Sequence, residues 1–253
     1  MPDDAMVTAT FRFYGELNDF LPRERRGRDV TLPCARAATT KHMIEALGVP
    51  HTEVELILVN GVSAGLDAIL EPDDRVAVYP RFTALDVGDM GRIAAQPPGR
   101  MRFVADAHLG GLARLLRMAG FDTIYRNDID DGEIEAHVAD EGRVALTRDR
   151  DLLKRRGVDY GCYVRALHSA EQLREVVRRY DLAERARPFT LCLHCNAPLR
   201  DVAKDAVLER LPTMVRATQD DFRTCDCCLR VYWRGTHWQR MQGMLAAAMD
   251  AAA

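Results

Sequence analysis

Residues 101–120 read MRFVADAHLGGLARLLRMAG. The first five form a short, mostly apolar run closed by Asp106, the pattern of a buried strand with a carboxylate at its carboxyl end. Leu109, Leu112, Ala113, Leu115, Leu116 and Ala119 then recur at helical spacing, and Gly120 stands where a C-terminal cap belongs. The alternation continues downstream. Strands are expected over residues 123–126, 143–147 and 159–167. Helices are expected over about 130–141, whose first turn is acidic as the helix dipole favours, and over 149–156 and 169–180. Strands alternating with helices at this spacing predict a parallel, doubly wound α/β sheet.

Upstream, residues 86–99 (DVGDMGRIAAQPPG) combine Gly, Pro and small residues without periodicity and read as a linker. Before it, residues 7–14 alternate as a half-buried strand. Thr39 and Thr40 can cap a helix over 41–47, ended by Gly48 and Pro50. Residues 54–59 and 75–79 read as strands separated by the turn signals Asn60-Gly61 and Pro72-Asp73-Asp74. This N-terminal part is therefore expected to be α+β. The whole chain divides into residues 1–85, a linker 86–100, an α/β part 101–187, and a cysteine-bearing part 188–253.

The 253 residues are 47% hydrophobic and 29% charged, which excludes a disordered, low-complexity chain. No apolar run approaches the ~18–20 residues that span a bilayer. The first residues lack a basic stretch followed by an apolar core, so a cytoplasmic location without membrane association is expected. Residues 1–99 hold 10 Lys/Arg against 15 Asp/Glu, whereas the remainder is close to balanced, so bulk charge gives no basic nucleic-acid-binding face. After residue 100 the positive charge is almost wholly arginine, whose planar fork suits phosphate and carboxylate.

In a reducing compartment the seven cysteines need another explanation than disulfides. Cys192-Leu-His-Cys195 and Cys225-Asp-Cys-Cys228 form a C-x₂-C … C-x₂-C pattern, whose four thiolates can close a tetrahedron around a structural zinc. Cys227 competes with Cys228 on proximity, and the x₂ spacing favours Cys228. Cys34 and Cys162 read as small buried residues. Tyr232, Trp233 and Trp238, interleaved with Arg234, can either cover the metal site or stack on unpaired bases.

Ligands of open α/β sheets bind beyond the carboxyl ends of the strands. Asp106 ends the first strand, and Asp149 and Asp151 lie just past the strand at 143–147. Asp128, Asp130, Asp131 and Glu133 follow another strand end. Converging carboxylates repel each other unless a hard cation such as Mg²⁺ or Mn²⁺ neutralises them. Each of these aspartates could equally cap a helix. Arg114 and Arg117 share a helix face, and Arg148 and Arg150 flank Asp149. These arginines could hold phosphates or pair with nearby carboxylates. His108 could act as an acid/base group or be plain surface.

The runs FVADAHLG (103–110), LARLLRMAGFDT (112–123) and LTRDRDLL (146–153), followed by the paired cysteines, resemble the Mut-seven C-terminal domain family, a branch of PIN-like ribonucleases with a fused zinc ribbon. The resemblance covers roughly residues 101–240. It implies metal ligands at Asp106, Asp149 and Asp151, with Asp131 the choice for a further acidic ligand and Asp130 and Glu133 its rivals. The N-terminal part, through Val59-Asn60-Gly61 and LEPDDRVAVYP (70–80), resembles the ubiquitin-like β-grasp fold of sulfur carriers. It departs from them in running on through Arg81-Phe82-Thr83 where a carrier ends in free Gly-Gly. Thiocarboxylate chemistry is therefore not expected, and a role in docking a protein partner or positioning substrate is.

Together these readings imply a metal-dependent ribonuclease. Asp106, Asp131, Asp149 and Asp151 would hold Mg²⁺ or Mn²⁺; Arg114, Arg117 and Arg148 would contact single-stranded RNA; and Cys192, Cys195, Cys225 and Cys228 would hold a structural zinc. The competing reading is a catalytically silent RNA- or protein-binding adaptor on the same fold.

Overall fold

Alternation in Val-Thr-Ala-Thr-Phe-Arg-Phe puts every second side chain inside, and strand β1 (Val7–Phe13) accordingly buries Val7, Ala9, Phe11 and Phe13. The computed structural model describes residues 7–35, 37–81, 97 and 99–250, without side chains at 237, 249 and 250. The linker expected at 86–100 lies outside the described residues except at its end. The chain divides into two compact units: Met1–Pro97 with Asp149–Tyr163, and Pro98–Arg148 with Val164–Ala253.

In the first unit, β1 is joined by β2 (Val30–Cys34), β3 (Val54–Val59), β4 (Val62–Ser63) and β5 (Arg75–Pro80). Their order is β2-β1-β5-β3-β4, with β1 and β5 parallel at the centre and the other neighbours antiparallel. Helix α1 (Thr40–Ala46) starts at Thr39, whose hydroxyl accepts from His42 N. It adds Met43 and Ile44 to the sheet's core. This is the β-grasp-like arrangement. Strands β2 and β4 escape sequence reading because one is a half-exposed edge carrying Pro33 and the other is two residues long. Asn60 and Asp74, part of the carrier-like motif, are structural: the Asn60 amide donates to Asp74, and its oxygen accepts from Arg75 N.

In the second unit, β6 (Phe103–Ala105) lies between β7 (Thr123–Tyr125) and β8 (Val144–Thr147), all parallel, with Ala105 opposite both Tyr125 and Leu146. β6 and β8 are wholly buried, as strands covered on both faces must be. Helices α2 (Gly110–Met118), α3 (Asp131–Glu141) and α4 (Ser169–Tyr180) are the expected ones. Gly120 has φ +88°, and a Cβ there would stand 2.1 Å from Arg187 O, so no other residue fits.

Two expectations fail between residues 149 and 167. The helix expected at 149–156 is a single 3₁₀ turn, Leu152–Lys154. Asp149 Oδ1 takes the N–H of Asp151 and so shapes a side-chain turn where the helix would have begun. The strand expected over 159–167 is only β9 (Gly161–Tyr163).

The cysteine-bearing part is a three-stranded antiparallel sheet, β10 (Leu199–Val202), β11 (Phe222–Cys225) and β12 (Val231–Trp233). Between β10 and β11 lie the short helices α5 (Lys204–Val207) and α6 (Thr213–Thr218). Helix α7 (Thr236–Asp250) follows and lies against α4 and α2.

A candidate cysteine metal centre and the acidic strand ends

Each cysteine pair sits in the same backbone turn. Cys192 N donates to Ala197 O and its carbonyl accepts from Asn196 N; Cys225 N donates to Arg230 O and its carbonyl accepts from Leu229 N. Asn196 and Leu229 are both left-handed, at φ +67° and +58°. The repeat agrees with the x₂ spacing, which favoured Cys228: this residue occupies the place of Cys195, and Cys227 is exposed. Among the described residues, Cys192, Cys195, Cys225 and Cys228 form the group whose ligand atoms all lie within 4.8 Å of one another. Four sulfurs at that separation, with Cys192 3.5 Å from Cys228 and Cys195 3.4 Å from Cys225, can hold a metal such as zinc. Burial opposes ionisation of Cys192, but the N–H of Cys195 and the Tyr232 hydroxyl, 3.0 Å away, outweigh it and bring the thiol down to about 6.

Arg117, expected to bind substrate, does something else. It is 4% exposed, and its guanidinium donates to Thr123 O, Leu193 O and His194 O. It therefore clasps the first knuckle to α2 and β7. Burial lowers its pKa, opposed by the neighbouring thiolates. Asn196 makes a second fastening, donating to Asp122 and accepting from Thr123 N. Asp122 also accepts both prongs of Arg143, at 2.9 and 3.0 Å; burial raises the carboxyl's pKa, but these bonds outweigh it and hold it below the ordinary range. Tyr232 and Trp233 serve packing: the first meets Cys192, and the second meets Phe222. Cys34 and Cys162 are buried, as expected.

At the strand ends, Asp106 is half-buried, and Thr147, at the end of neighbouring β8, donates its hydroxyl to Asp106 Oδ2 at 2.6 Å. Asp149 and Asp151 follow two and four residues later and are exposed. Asp131 opens α3. Its rivals are committed elsewhere: Asp130 and Glu133 form a reciprocal capping box, and Arg126 pairs with Glu133 at 2.7 Å and Asp128 at 3.2 Å. Arg148 donates to the carbonyls of Arg165 and Ala166, and His108 is exposed in a 3₁₀ turn. Arg114 is exposed and borders a cleft of about 560 Å³ shared with Tyr125, Asn127, His194 and Asn196.

This fold and these knuckles agree with what the sequence matches: residues 101–245 correspond to the Mut7-C RNAse domain. The chain belongs to the Mut7-C RNAse domain family. Residues 6–86 match the Mut7-C ubiquitin domain, so the N-terminal β-grasp-like sheet is the ubiquitin-like part of this Mut7-C protein. Membership supports a nuclease-like role at a coarse level. No curated protein matches the chain. Among solved structures, it is similar to the crystal structure of H. volcanii small archaeal modifier protein 1, at 18% identity and a TM-score of 0.25, over 30% of this chain and 99% of that one. Among the described residues, no helix of the Mut7-C protein is long and apolar enough to cross a membrane.

Sequence reading missed Thr147 and Asn196. A threonine immediately before an R-D-R-D run and an asparagine immediately after a C-x₂-C pair were the available signals.

Proposed function

We propose that this Mut7-C protein is a metal-dependent ribonuclease that hydrolyses single-stranded RNA, with a zinc ribbon as a structural staple. The observation that carries the reading is the hydrogen bond from Thr147 to Asp106 across the carboxyl ends of two adjacent parallel strands, in a chain of this family. Thr147 occupies one oxygen of Asp106 and fixes the carboxylate, while Asp149 takes the N–H of Asp151 and shapes the turn that carries both. Asp106, Asp149, Asp151 and Asp131 offer oxygen donors alone, a donor set that fits Mg²⁺ or Mn²⁺ and does not suit a soft ion. Such an ion, when bound, lowers the pKa of a water and offsets charge on the phosphate. Arg114 and the outward part of Arg148 would receive phosphates, and the cleft beside Tyr125 and His194 would receive an unpaired base.

The test is cleavage of single-stranded RNA in Mn²⁺ by the full chain, Asp106→Asn, Asp149→Asn and Thr147→Val. Loss of a ligand should exceed the roughly 10–100-fold cost of losing a supporting partner, and Thr147→Val should fall within that range. Equal rates for the parent and both aspartate variants would sink the proposal. The alternative, a silent binding adaptor, draws on the near-balanced bulk charge and on the ubiquitin-like domain; it predicts RNA affinity without turnover in any divalent ion.

A further inference from the structure

Residues 149–163 belong to the compact unit built around the ubiquitin-like sheet. The sequence gives no hint of this, because the segment lies some seventy residues beyond β5. Four features of that unit hold it. Arg150, between Asp149 and Asp151, donates to Phe20 O at 3.1 Å, and its guanidinium lies 5.2 Å from the Phe20 ring centre and 5.9 Å from that of Tyr163. Phe20 and Tyr163 meet edge to face at 5.1 Å. Glu53, 2% exposed, accepts the backbone N–H of Tyr163 at 2.8 Å. Gly161 packs so closely that a Cβ there would stand 2.5 Å from Leu153 Cδ2 and 3.3 Å from Thr52 Cγ2.

A buried carboxylate that accepts the N–H of Tyr163, and an arginine placed between two exposed aspartates yet turned onto aromatic rings, are costly unless the position of the turn matters. We propose that the ubiquitin-like domain is a built-in clamp for the turn bearing Asp149 and Asp151, with Glu53, Phe20 and Arg150 as positioning residues. The inference rests on the ribonuclease reading. It gives the domain an intramolecular task in place of recruiting a partner.

The experiment uses the full chain with Glu53→Ala, Glu53→Gln, Arg150→Lys and, as an exposed control on the same domain, Ile69→Ala. Steady-state RNA cleavage in Mn²⁺ is measured beside amide hydrogen exchange over residues 149–163. Glu53→Ala should lower kcat by about tenfold, the scale of a lost supporting partner, with KM little changed and with faster exchange over 149–163. Glu53→Gln keeps the acceptor oxygen and should restore both. Arg150→Lys keeps the charge but not the planar fork, and should fall between them. Ile69→Ala should match the parent. Parent-like kcat and parent-like exchange in Glu53→Ala would overturn the clamp, as would failure of the glutamine to rescue. A parent that cleaves no RNA would remove the ribonuclease reading alone, because hydrogen exchange over 149–163 still judges whether Glu53 and Arg150 hold the turn.

Discussion

The ubiquitin-like sheet and the cysteine-bearing sheet solve the same problem with different materials. The first encloses a continuous apolar core that includes Phe11, Phe13, Ile44, Ile57 and Val78. The second has a separate cluster of only Val207, Leu211 and Phe222, edged by Val202, Val215, Val231 and Trp233. So small a core cannot offset the entropy of ordering three strands, and the four thiolates stand where the missing apolar contacts would be. One sheet is specified by its pattern of side chains, the other by what its side chains can bind.

The largest expected effect separates the two directly. Structural zinc contributes on the order of 10 kcal/mol to small metal-dependent folds, so a strong chelator at neutral pH should unfold the cysteine-bearing sheet. Both tryptophans, Trp233 and Trp238, lie in that part, so tryptophan emission reports on it alone. Emission should shift to the red while amide protection in β1, β3 and β5 persists. Simultaneous loss of both would erase the contrast.

Phe11→Ala addresses the other side. Removing a fully buried phenylalanine should cost about 3–5 kcal/mol. Protection in β1, β3 and β5 should fall, with emission and zinc content unchanged.

A smaller effect is expected at the fastening of the first knuckle. Arg117→Met keeps apolar volume but leaves the carbonyls of Thr123, Leu193 and His194 without their donor, a loss of about 1–3 kcal/mol for an unsatisfied buried group. Zinc should leave faster, and RNA affinity should stay at the parent value. A drop in RNA affinity with normal zinc retention would return Arg117 to substrate binding.

The smallest concerns acid. The folded pKa of Asp122 is depressed, so its contribution is complete above its unfolded value, about 4, and is lost as pH falls through the folded value. Melting temperatures recorded from pH 5 down to pH 2 should decline less steeply for Asp122→Asn than for the parent.

Much of this architecture was readable from residues alone. Alternation gave β1, helical spacing with Gly120 gave α2, and an acidic first turn gave α3, because in each case local chemistry and tertiary position agree. The paired cysteines were readable for the same reason, since the turn that gathers their sulfurs is encoded within six residues. Reading failed where the deciding partner is distant. Arg117 looks like any helix arginine until Leu193 and His194 supply carbonyls from seventy-six and seventy-seven residues away. The stretch after Thr147 resembles a helix by composition, yet its partners are Phe20 and Glu53, about a hundred residues or more upstream. Asp130 and Glu133 drop out as metal ligands only once their reciprocal cap is seen.

That residues 149–163 side with the N-terminal sheet also bears on how the molecule can be dissected. A gene truncated at the glycine- and proline-rich joint would look like a clean excision of one module. It would in fact strand a fifteen-residue piece without the acceptor from Glu53 and the ring of Phe20. Activity lost in such a fragment would report on a torn seam, so point changes are the sounder scalpel.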